Sequence, residues 1–159
     1  MGNIGSRVAS IATAFGCRVI YYSTSGTSHC TLYPSVSLEE LLSQSDIVSI
    51  HSPLNERTRN LIGKAELALM KPGAILVNAG RGGIVDEAAL SQAVDSGQIA
   101  GAALDVFSRE PLPQDSPLLQ TVHPERFRFA PHTAWASSEA RARLVAMVAE
   151  NIKTTLINT

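Results

Sequence analysis

Short apolar runs alternate with helix-forming segments along nearly the whole chain, and this alternation constrains the fold more than any other feature. Apolar or β-branched runs of a few residues between turn signals predict buried strands. Strands that alternate with helices through short connections are typical of a parallel α/β sheet. The predicted strands are residues 18–22, Ile47–Ile50, Ile75–Asn78, residues 100–106 and residues 126–130.

Capping residues set the limits of the predicted helices. Ser37 with Glu40 fits a capping box, and Asp86 is a suitable N-cap. Gly16 and Gly97 stand where glycine is favoured just past a helix end. The predicted helices are residues 4–15, Leu38–Gln44, residues 65–70, residues 87–94 and Ser138–Ile157; the last has an apolar stripe of Leu144, Val145, Val148, Ile152 and Leu156.

The composition fits one packed domain that works in the cytoplasm. The chain has 159 residues, 45% apolar and 17% charged, with a net charge of -1. The absence of a basic run argues against a nucleic-acid partner, and no run approaches the roughly 20 apolar residues that cross a bilayer. Cys17 and Cys30 are isolated, so we expect reduced thiols, and the scattered histidines predict no metal site.

The start of the chain resembles part of a phosphate-binding loop. Gly2, Asn3, Ile4 and Gly5 fit the end of the pattern G-x-G-x-x-G, in which the amides at a helix start face a pyrophosphate. The first glycine and the strand before it are absent, so we expect Met1 to be an internal methionine of a longer ancestor. The alternative interpretation is a flexible start before an ordinary helix.

The segment after the first predicted strand lacks the carboxylate that usually binds an adenosine ribose. Tyr22 is followed by Ser23, Thr24 and Ser25. Hydroxyl groups can donate to a 2′-phosphate, yet no arginine stands beside them to neutralise it. The choice between NAD and NADP is therefore open, and residues 23–26 could equally be a simple polar turn.

Polar and glycine-rich segments follow the other predicted strands. Residues 51–54 read His-Ser-Pro-Leu, residues 78–83 read Asn-Ala-Gly-Arg-Gly-Gly, residues 104–111 contain Asp105 and Glu110, and residues 131–135 contain His132. In doubly wound sheets, ligands bind at the carboxyl ends of the strands. We therefore expect these segments to form the functional site.

These motifs, in this order, resemble the nicotinamide-cofactor domain of the D-isomer-specific 2-hydroxyacid dehydrogenase family. The resemblance extends from Gly2 to about Leu156. It implies a Rossmann-like doubly wound parallel sheet that lacks the first strand. It also implies that residues 1–159 are one nucleotide-binding domain, incomplete at its N-terminus, and that the family's substrate domain is absent.

The resemblance assigns three catalytic roles. Arg81 would grip the carboxylate or carbonyl of a 2-keto acid, because a guanidinium offers a planar pair of donors. His132 would transfer the proton, and Glu110 would orient its imidazole and favour the protonated form. Taken singly, Arg81 and Glu110 could be solvated loop residues and His132 a structural histidine.

The remaining site residues are implied in the same way. Asp105 and the backbone near Ala79 would meet the nicotinamide amide. Trp135 would line the pocket for a short 2-keto acid, as in glycerate dehydrogenases and hydroxypyruvate reductases of the family, or would merely cap the core. His29 and His123 match no motif, so we expect them at the surface. The cofactor-binding residues are Gly2, Asn3, Ile4, Gly5, Ser23, His51, Ser52, Pro53, Thr58, Asn78, Ala79, Gly80 and Asp105.

The implied function is hydride transfer between NAD or NADP and a D-2-hydroxy acid or 2-keto acid, such as glycerate or hydroxypyruvate. Without a substrate domain, we expect little turnover by this chain alone. One alternative is an inactive nucleotide-binding or interaction fragment. Another is a regulatory corepressor of the same family, but the retained His132 argues against it. A missing central strand would expose sheet edges, so we expect a homodimer or larger assembly. Strand swapping between copies is one way in which such an assembly could form.

Overall fold

The computed structural model describes residues 1–27 and 30–157. Within them, four parallel strands form one sheet in the order β1-β2-β3-β4. The strands are β1 (Ile47–Ile50), β2 (Ile75–Asn78), β3 (Gly101–Leu104) and β4 (Phe127–Phe129). Each strand reaches the next through a crossover, so the parallel α/β prediction is confirmed. The prediction for His29 lies outside the described residues.

The helices begin and end at the capping residues that the sequence indicated. Ser37 Oγ accepts the Glu40 N–H, and the Asp86 carboxylate accepts two amide N–H groups of the next turn. Gly16 and Gly97 have φ values of +83° and +74° just after their helices. The helices are α1 (Asn3–Ala14), α2 (Leu38–Gln44), α3 (Lys64–Leu69), α4 (Glu87–Asp95) and α5 (Ser138–Ile157).

The core lies on one face of the sheet. Val48, Leu76 and Ala102 occupy the same register row, so their side chains point to the same side. Helices α2, α3 and α4 contribute buried residues to the same core cluster, and α3 packs against both α2 and α4. The largest fully buried side chains there are Leu42, Leu67, Leu76, Ile84, Leu90, Ile99, Leu118 and Val94.

The opposite face of the sheet is largely open in the described part of the chain. Ile47 is 60% exposed and Ile75 is 42% exposed, although both are strand residues. The predicted apolar stripe of α5 is also exposed, from Leu144 to Leu156. Apolar surface of this extent is typical of a face that contacts other protein. None of the described helices is both long and apolar enough to span a membrane.

The predicted strand at residues 18–22 is wrong. Only Tyr21 pairs, through an isolated parallel bridge to Ser35 in which its N–H donates to the Pro34 carbonyl oxygen. The reason is that a strand requires a neighbour along its edge, and the other edge of this segment faces a cleft instead of a strand. The strands predicted at 100–106 and 126–130 are shorter than expected, because their ends turn into the functional loops.

Gly101 provides a test of the packing between β3 and β4. A Cβ atom at this position would overlap the carbonyl oxygen of Arg126. We expect Gly101→Ala to lower the free energy of unfolding by about 1–3 kcal/mol, because overpacking forces the backbone apart. Urea unfolding measures the change.

Gly73→Ala is the matched control, because a Cβ at Gly73 meets no heavy atom within 4 Å. Equal stability of the two alanine variants would contradict the close approach of β3 and β4.

Candidate active site

The loops that follow the parallel strands meet along the carboxyl edge of the sheet. A Cβ on Gly80 would lie 3.3 Å from the Ile50 carbonyl oxygen and 3.2 Å from that of Ser52. A Cβ on Gly82 would overlap the backbone of Phe107. The loop of residues 79–83, after β2, is therefore held tightly between the loops after β1 and β3.

Asn78 supports this loop from inside. Its Oδ1 accepts the Gly80 N–H and its Nδ2 donates to the Arg81 carbonyl oxygen, both at 3.0 Å. The Asn78 side chain is buried, whereas Ala79 and Arg81 are exposed. Asn78 thus presents the Arg81 guanidinium and the Ala79 backbone to the outside of the sheet edge.

His132 and Glu110 form the pair that the sequence predicted. His132 Nδ1 lies 2.8 Å from Glu110 Oε2, and Glu110 Oε1 accepts the Phe107 N–H at 3.0 Å. The hydrogen bond to His132, followed by the one from Phe107, lowers the pKa of the Glu110 carboxyl. Because Nδ1 faces Glu110, the Nε2 atom of His132 is the ring nitrogen that can serve a substrate.

Asp105 has a role that the sequence did not indicate. Its two carboxylate oxygens accept the N–H groups of Thr133, at 2.8 Å, and Ala134, at 2.9 Å. His132, just before them, has a φ of +55°, which a non-glycine residue rarely adopts. The buried Asp105 carboxylate therefore holds the turn that carries His132.

Two further positioning residues escaped the sequence reasoning. Glu87 Oε1 accepts the Ser108 N–H at 2.6 Å and so ties the segment before Glu110 to the first turn of α4. Gly82 allows the same segment to approach the Arg81 loop. A glutamate at a helix start does not by itself indicate a functional role, so Glu87 could not be predicted. The two glycines after Arg81, however, indicate a close approach of two backbone segments.

A cleft of about 1250 Å³ lies beside β1, and we call it the β1 cleft. It runs between β1 and residues 18–22. Its wall contains many of the predicted cofactor-binding residues, namely Gly2, Gly5, Ser23, His51, Ser52 and Pro53. His51 is half-buried there, its Nε2 is 2.9 Å from Ser49 Oγ, and burial lowers its pKa. Predicted residues Asn78, Ala79, Gly80 and Asp105 lie further along the sheet edge, outside the wall of this cleft.

The start of α1 fits an anionic group. Gly2 is the N-cap, no side chain caps the helix, and its first turn holds no acidic residue, so the first amides remain available. Predicted residues Asn3 and Ile4 are exposed in that turn. A Cβ on Gly5 would lie 3.3 Å from Met1 Cγ, so glycine suits the tight entry.

Thr58 is a correction among the predicted cofactor contacts. Its side chain is fully buried, and its hydroxyl donates to the Pro53 carbonyl oxygen at 2.7 Å and accepts the Asn55 N–H at 2.8 Å. Thr58 therefore shapes the turn after β1 and does not face the cleft. Residues 23–26 form a turn, with the Ser23 hydroxyl donating to the Thr27 carbonyl oxygen.

Trp135 lies near the predicted catalytic histidine but not in the core. It is 53% exposed, three residues after His132. The alternative that it caps the core is therefore wrong. The position leaves Trp135 free to contact a ligand beside the His132 turn. Among the described residues, no three His, Cys, Asp or Glu side chains are grouped as metal ligands.

Comparison with known proteins shows which family has this arrangement of residues. Residues 1–134 match the model of the family described as D-isomer specific 2-hydroxyacid dehydrogenase, NAD binding domain. The chain belongs to this family. The resemblance seen in the sequence is thereby confirmed.

Similar dehydrogenases are about twice as long as this chain. It is 52% identical to a glyoxylate reductase of Aeropyrum pernix over 96% of the chain and 45% of that protein. It is 39% identical to a glycerate dehydrogenase of Methylorubrum extorquens over 96% and 46%. A D-lactate dehydrogenase of Aquifex aeolicus, solved with NAD and lactic acid, superposes with a TM-score of 0.88 at 30% identity, over 99% of this chain and 51% of that one. The chain thus spans about half the length of these dehydrogenases.

Asp105→Asn tests the support of the His132 turn. An asparagine keeps one acceptor but points an NH₂ group at a backbone N–H, so one of the two backbone bonds is lost. We expect the free energy of unfolding to fall by about 1–3 kcal/mol, as for other buried hydrogen-bonded groups, and the Thr133 and Ala134 amides to exchange faster. Urea unfolding and amide exchange by NMR measure these effects.

Asp115→Asn is the control, because Asp115 is exposed. Unchanged exchange at Thr133 and Ala134 in the Asp105 variant would contradict the proposed support.

Glu110→Gln tests the His132–Glu110 pair through its pH dependence. The pKa of Glu110 is lowered from its usual 4.5, so its ionised form stabilises the fold above that pH. This contribution is lost as the pH falls through the lowered pKa. We expect Glu110→Gln to be less stable than wild type at pH 7, with the difference shrinking at pH values below 4.5.

Urea unfolding across a pH series measures that difference. Glu56→Gln, at an exposed position, is the control and is expected to show no such trend. A difference at Glu110 that stays constant down to pH 3 would show that its carboxylate does not contribute through ionisation.

Proposed function

We propose that this chain is the nicotinamide-cofactor domain of an oxidoreductase that interconverts a D-2-hydroxy acid and a 2-keto acid with NAD or NADP. The observation that carries the proposal is the His132–Glu110 pair at 2.8 Å, held at the sheet edge that also presents Arg81. An oriented imidazole and an exposed guanidinium, both in loops at the carboxyl edge of the sheet, suit a substrate that must be held by an oxygen and must exchange a proton.

Each of the three side chains has a separate task in this proposal. In the direction of reduction, His132 donates a proton from Nε2 to the keto oxygen of the substrate. Glu110 keeps Nδ1 engaged, so that the ring stays oriented and its positive charge is balanced. Arg81 binds the carboxylate or keto oxygen and polarises it. The nicotinamide cofactor, when bound, supplies the hydride that reduces the keto carbon.

The start of α1 and the loops after the strands supply groups that fit a dinucleotide. The uncapped α1 amides suit the phosphates, and the predicted nicotinamide contacts are Ala79 and Asp105. Residues 23–26 offer hydroxyls but no carboxylate, which leaves both NAD and NADP as candidates. The proposed cofactor contacts are Gly2, Asn3, Ile4, Gly5, Ser23, His51, Ser52, Pro53, Ala79, Gly80 and Asp105, with Asn78 as their support.

The proposed substrates are short 2-keto acids, namely glyoxylate and hydroxypyruvate. The similar proteins are a glyoxylate reductase and a glycerate dehydrogenase, and both names imply substrates of two or three carbons. The exposed Trp135, three residues after His132, would offer a flat wall that suits a small polar acid.

A second candidate is a nucleotide-binding or interaction fragment without catalysis. The open sheet face and the exposed α5 stripe favour this candidate, because apolar surface of this kind is typical of a face that contacts other protein. The same surfaces favour self-association into a dimer or larger assembly.

Titration with NADH and NADPH, followed by nucleotide fluorescence, tests the proposal first. We expect saturable binding at micromolar to submillimolar nucleotide, and slow turnover of glyoxylate or hydroxypyruvate. His132→Asn should lower that turnover by about 100- to 10,000-fold while nucleotide binding is retained, because only the proton transfer is lost. His123→Asn is the matched control, since His123 lies near Glu125 and not Glu110.

The outcomes separate the two candidates. Nucleotide binding without turnover would favour the non-catalytic fragment. No binding of either nucleotide up to millimolar concentration would overturn the cofactor-domain proposal for this chain.

A further inference from the structure

The peptide unit between Phe107 and Ser108 is held both at its carbonyl and at its N–H. A trans peptide is planar, so these two groups point in opposite directions. Gly82 lies against the carbonyl, where a Cβ atom would overlap the Phe107 oxygen. Glu87 Oε1 accepts the Ser108 N–H at 2.6 Å. The peptide is therefore fixed between the loop that carries Arg81 and the first turn of α4.

The N–H group just before this peptide belongs to the proton-transfer site. The Phe107 N–H donates to Glu110 Oε1 at 3.0 Å, and Glu110 Oε2 lies 2.8 Å from His132 Nδ1. Only the two backbone torsions of Phe107 separate this N–H from the held peptide. A displacement of the peptide is therefore passed to the Glu110 carboxylate.

Glu87 is well placed to hold the peptide. Asp86 caps α4 through the Ala88 and Ala89 N–H groups, so the helix start is fixed without the Glu87 side chain. The distance from Glu87 to the Ser108 nitrogen is as short as in hydrogen bonds to an ionised carboxylate.

Packing does little to hold the segment on its outer side. Ser108, Arg109 and Glu110 are all exposed. An exposed backbone segment with few buried contacts moves readily unless hydrogen bonds restrain it. The hydrogen bond from the Ser108 N–H to Glu87 therefore matters more here than it would in a packed core.

We propose that Glu87 is a positioning residue for the His132–Glu110 pair. By holding the Phe107–Ser108 peptide against Gly82, Glu87 keeps one oxygen of Glu110 on the Phe107 N–H and the other on the imidazole. Its action on His132 runs through Glu110. The inference rests on the proposed function only for the use that the pair serves.

The same contact links the two parts of the candidate active site. Gly82 directly follows Arg81, so the held peptide sets the spacing between the Arg81 loop and the segment that carries Glu110. Glu87 and Gly82 lie on the same connection from β2 into α4. One stretch of backbone thus determines the positions of both the guanidinium and the carboxylate that orients the imidazole.

Glu87→Ala tests the proposal on the chain without nucleotide. We expect the Ser108 amide to exchange at least about tenfold faster, because a hydrogen bond to a charged acceptor is lost. The pKa of Glu110 should rise toward its usual 4.5, because the hydrogen bonds from His132 and Phe107 that lower it are weakened. Amide exchange by NMR measures the first effect, and ¹³C NMR of the carboxyl group across a pH series measures the second.

The direction of the pKa change separates positioning from charge. Charge on His132 lowers the pKa of Glu110, and the charge of Asp105 raises it. Removing the negative charge of Glu87 can only lower the pKa of Glu110, because a like charge raises the pKa of a carboxyl. A rise in Glu87→Ala therefore reports the loss of hydrogen bonds. Glu87→Gln keeps an acceptor oxygen and should show no such rise.

Asp95→Ala is the matched control on the same helix. Asp95 also accepts backbone N–H groups, those of Val122 at 3.1 Å and His123 at 3.3 Å, but at the other end of α4. This variant should lose stability as Glu87→Ala does, while the pKa of Glu110 stays unchanged. Circular dichroism verifies that all three variants are folded.

Two results would overturn the proposal. One is an unchanged or lowered pKa of Glu110 in Glu87→Ala, and the other is an equal rise in Asp95→Ala. Neither measurement involves nucleotide or substrate. A negative result therefore leaves the proposed catalytic function to its own test, and a failure of nucleotide binding would not alter the outcome here.

Discussion

The close backbone contact between the loops after β1, β2 and β3 determines where the candidate catalytic groups lie. At Gly80 and Gly82 the loop that carries Arg81 touches both of its neighbours, with no room for a side chain at Gly82. Asn78 fixes the same loop from below through two hydrogen bonds. A parallel sheet brings its carboxyl ends together, but these contacts decide the spacing of the groups that it presents. The Arg81 guanidinium is therefore placed by glycine and amide positions that do no chemistry.

Two carboxylates position His132, and each lies in an environment that suits its role. Asp105 is buried and bonds two backbone N–H groups, so it fixes the turn in which His132 adopts a positive φ. Glu110 is more exposed and bonds the ring itself, so it fixes orientation and balances charge. The backbone conformation and the ring orientation thus depend on different residues. A loss at Asp105 is expected to move the whole turn, whereas a loss at Glu110 releases the ring and the Phe107 N–H.

Local signals in the sequence were enough for the capped helices and for the strands that are buried in the core. The Asp86 cap and the apolar runs at β1 and β2 depend on residues that are close together in the sequence, so the sequence alone predicts them. Residues 18–22 have strand composition but no strand, because pairing depends on a neighbour that composition cannot reveal. The same limit explains Thr58, whose hydroxyl bonds the backbone of its own turn, and the support that Asp105 gives to the His132 turn, which only the fold shows. The His132–Glu110 pair was predictable because both residues belong to motifs of the family that the sequence resembles. The periodicity of apolar residues gives no information about such a pair.

The one-sided core couples the β1 cleft to the proposed cofactor site. Helix α1 begins at the uncapped amides proposed to bind phosphate, yet its inner face borders an open slot instead of a packed strand. A helix held by few contacts positions its N-terminal amides less firmly than one packed on a sheet.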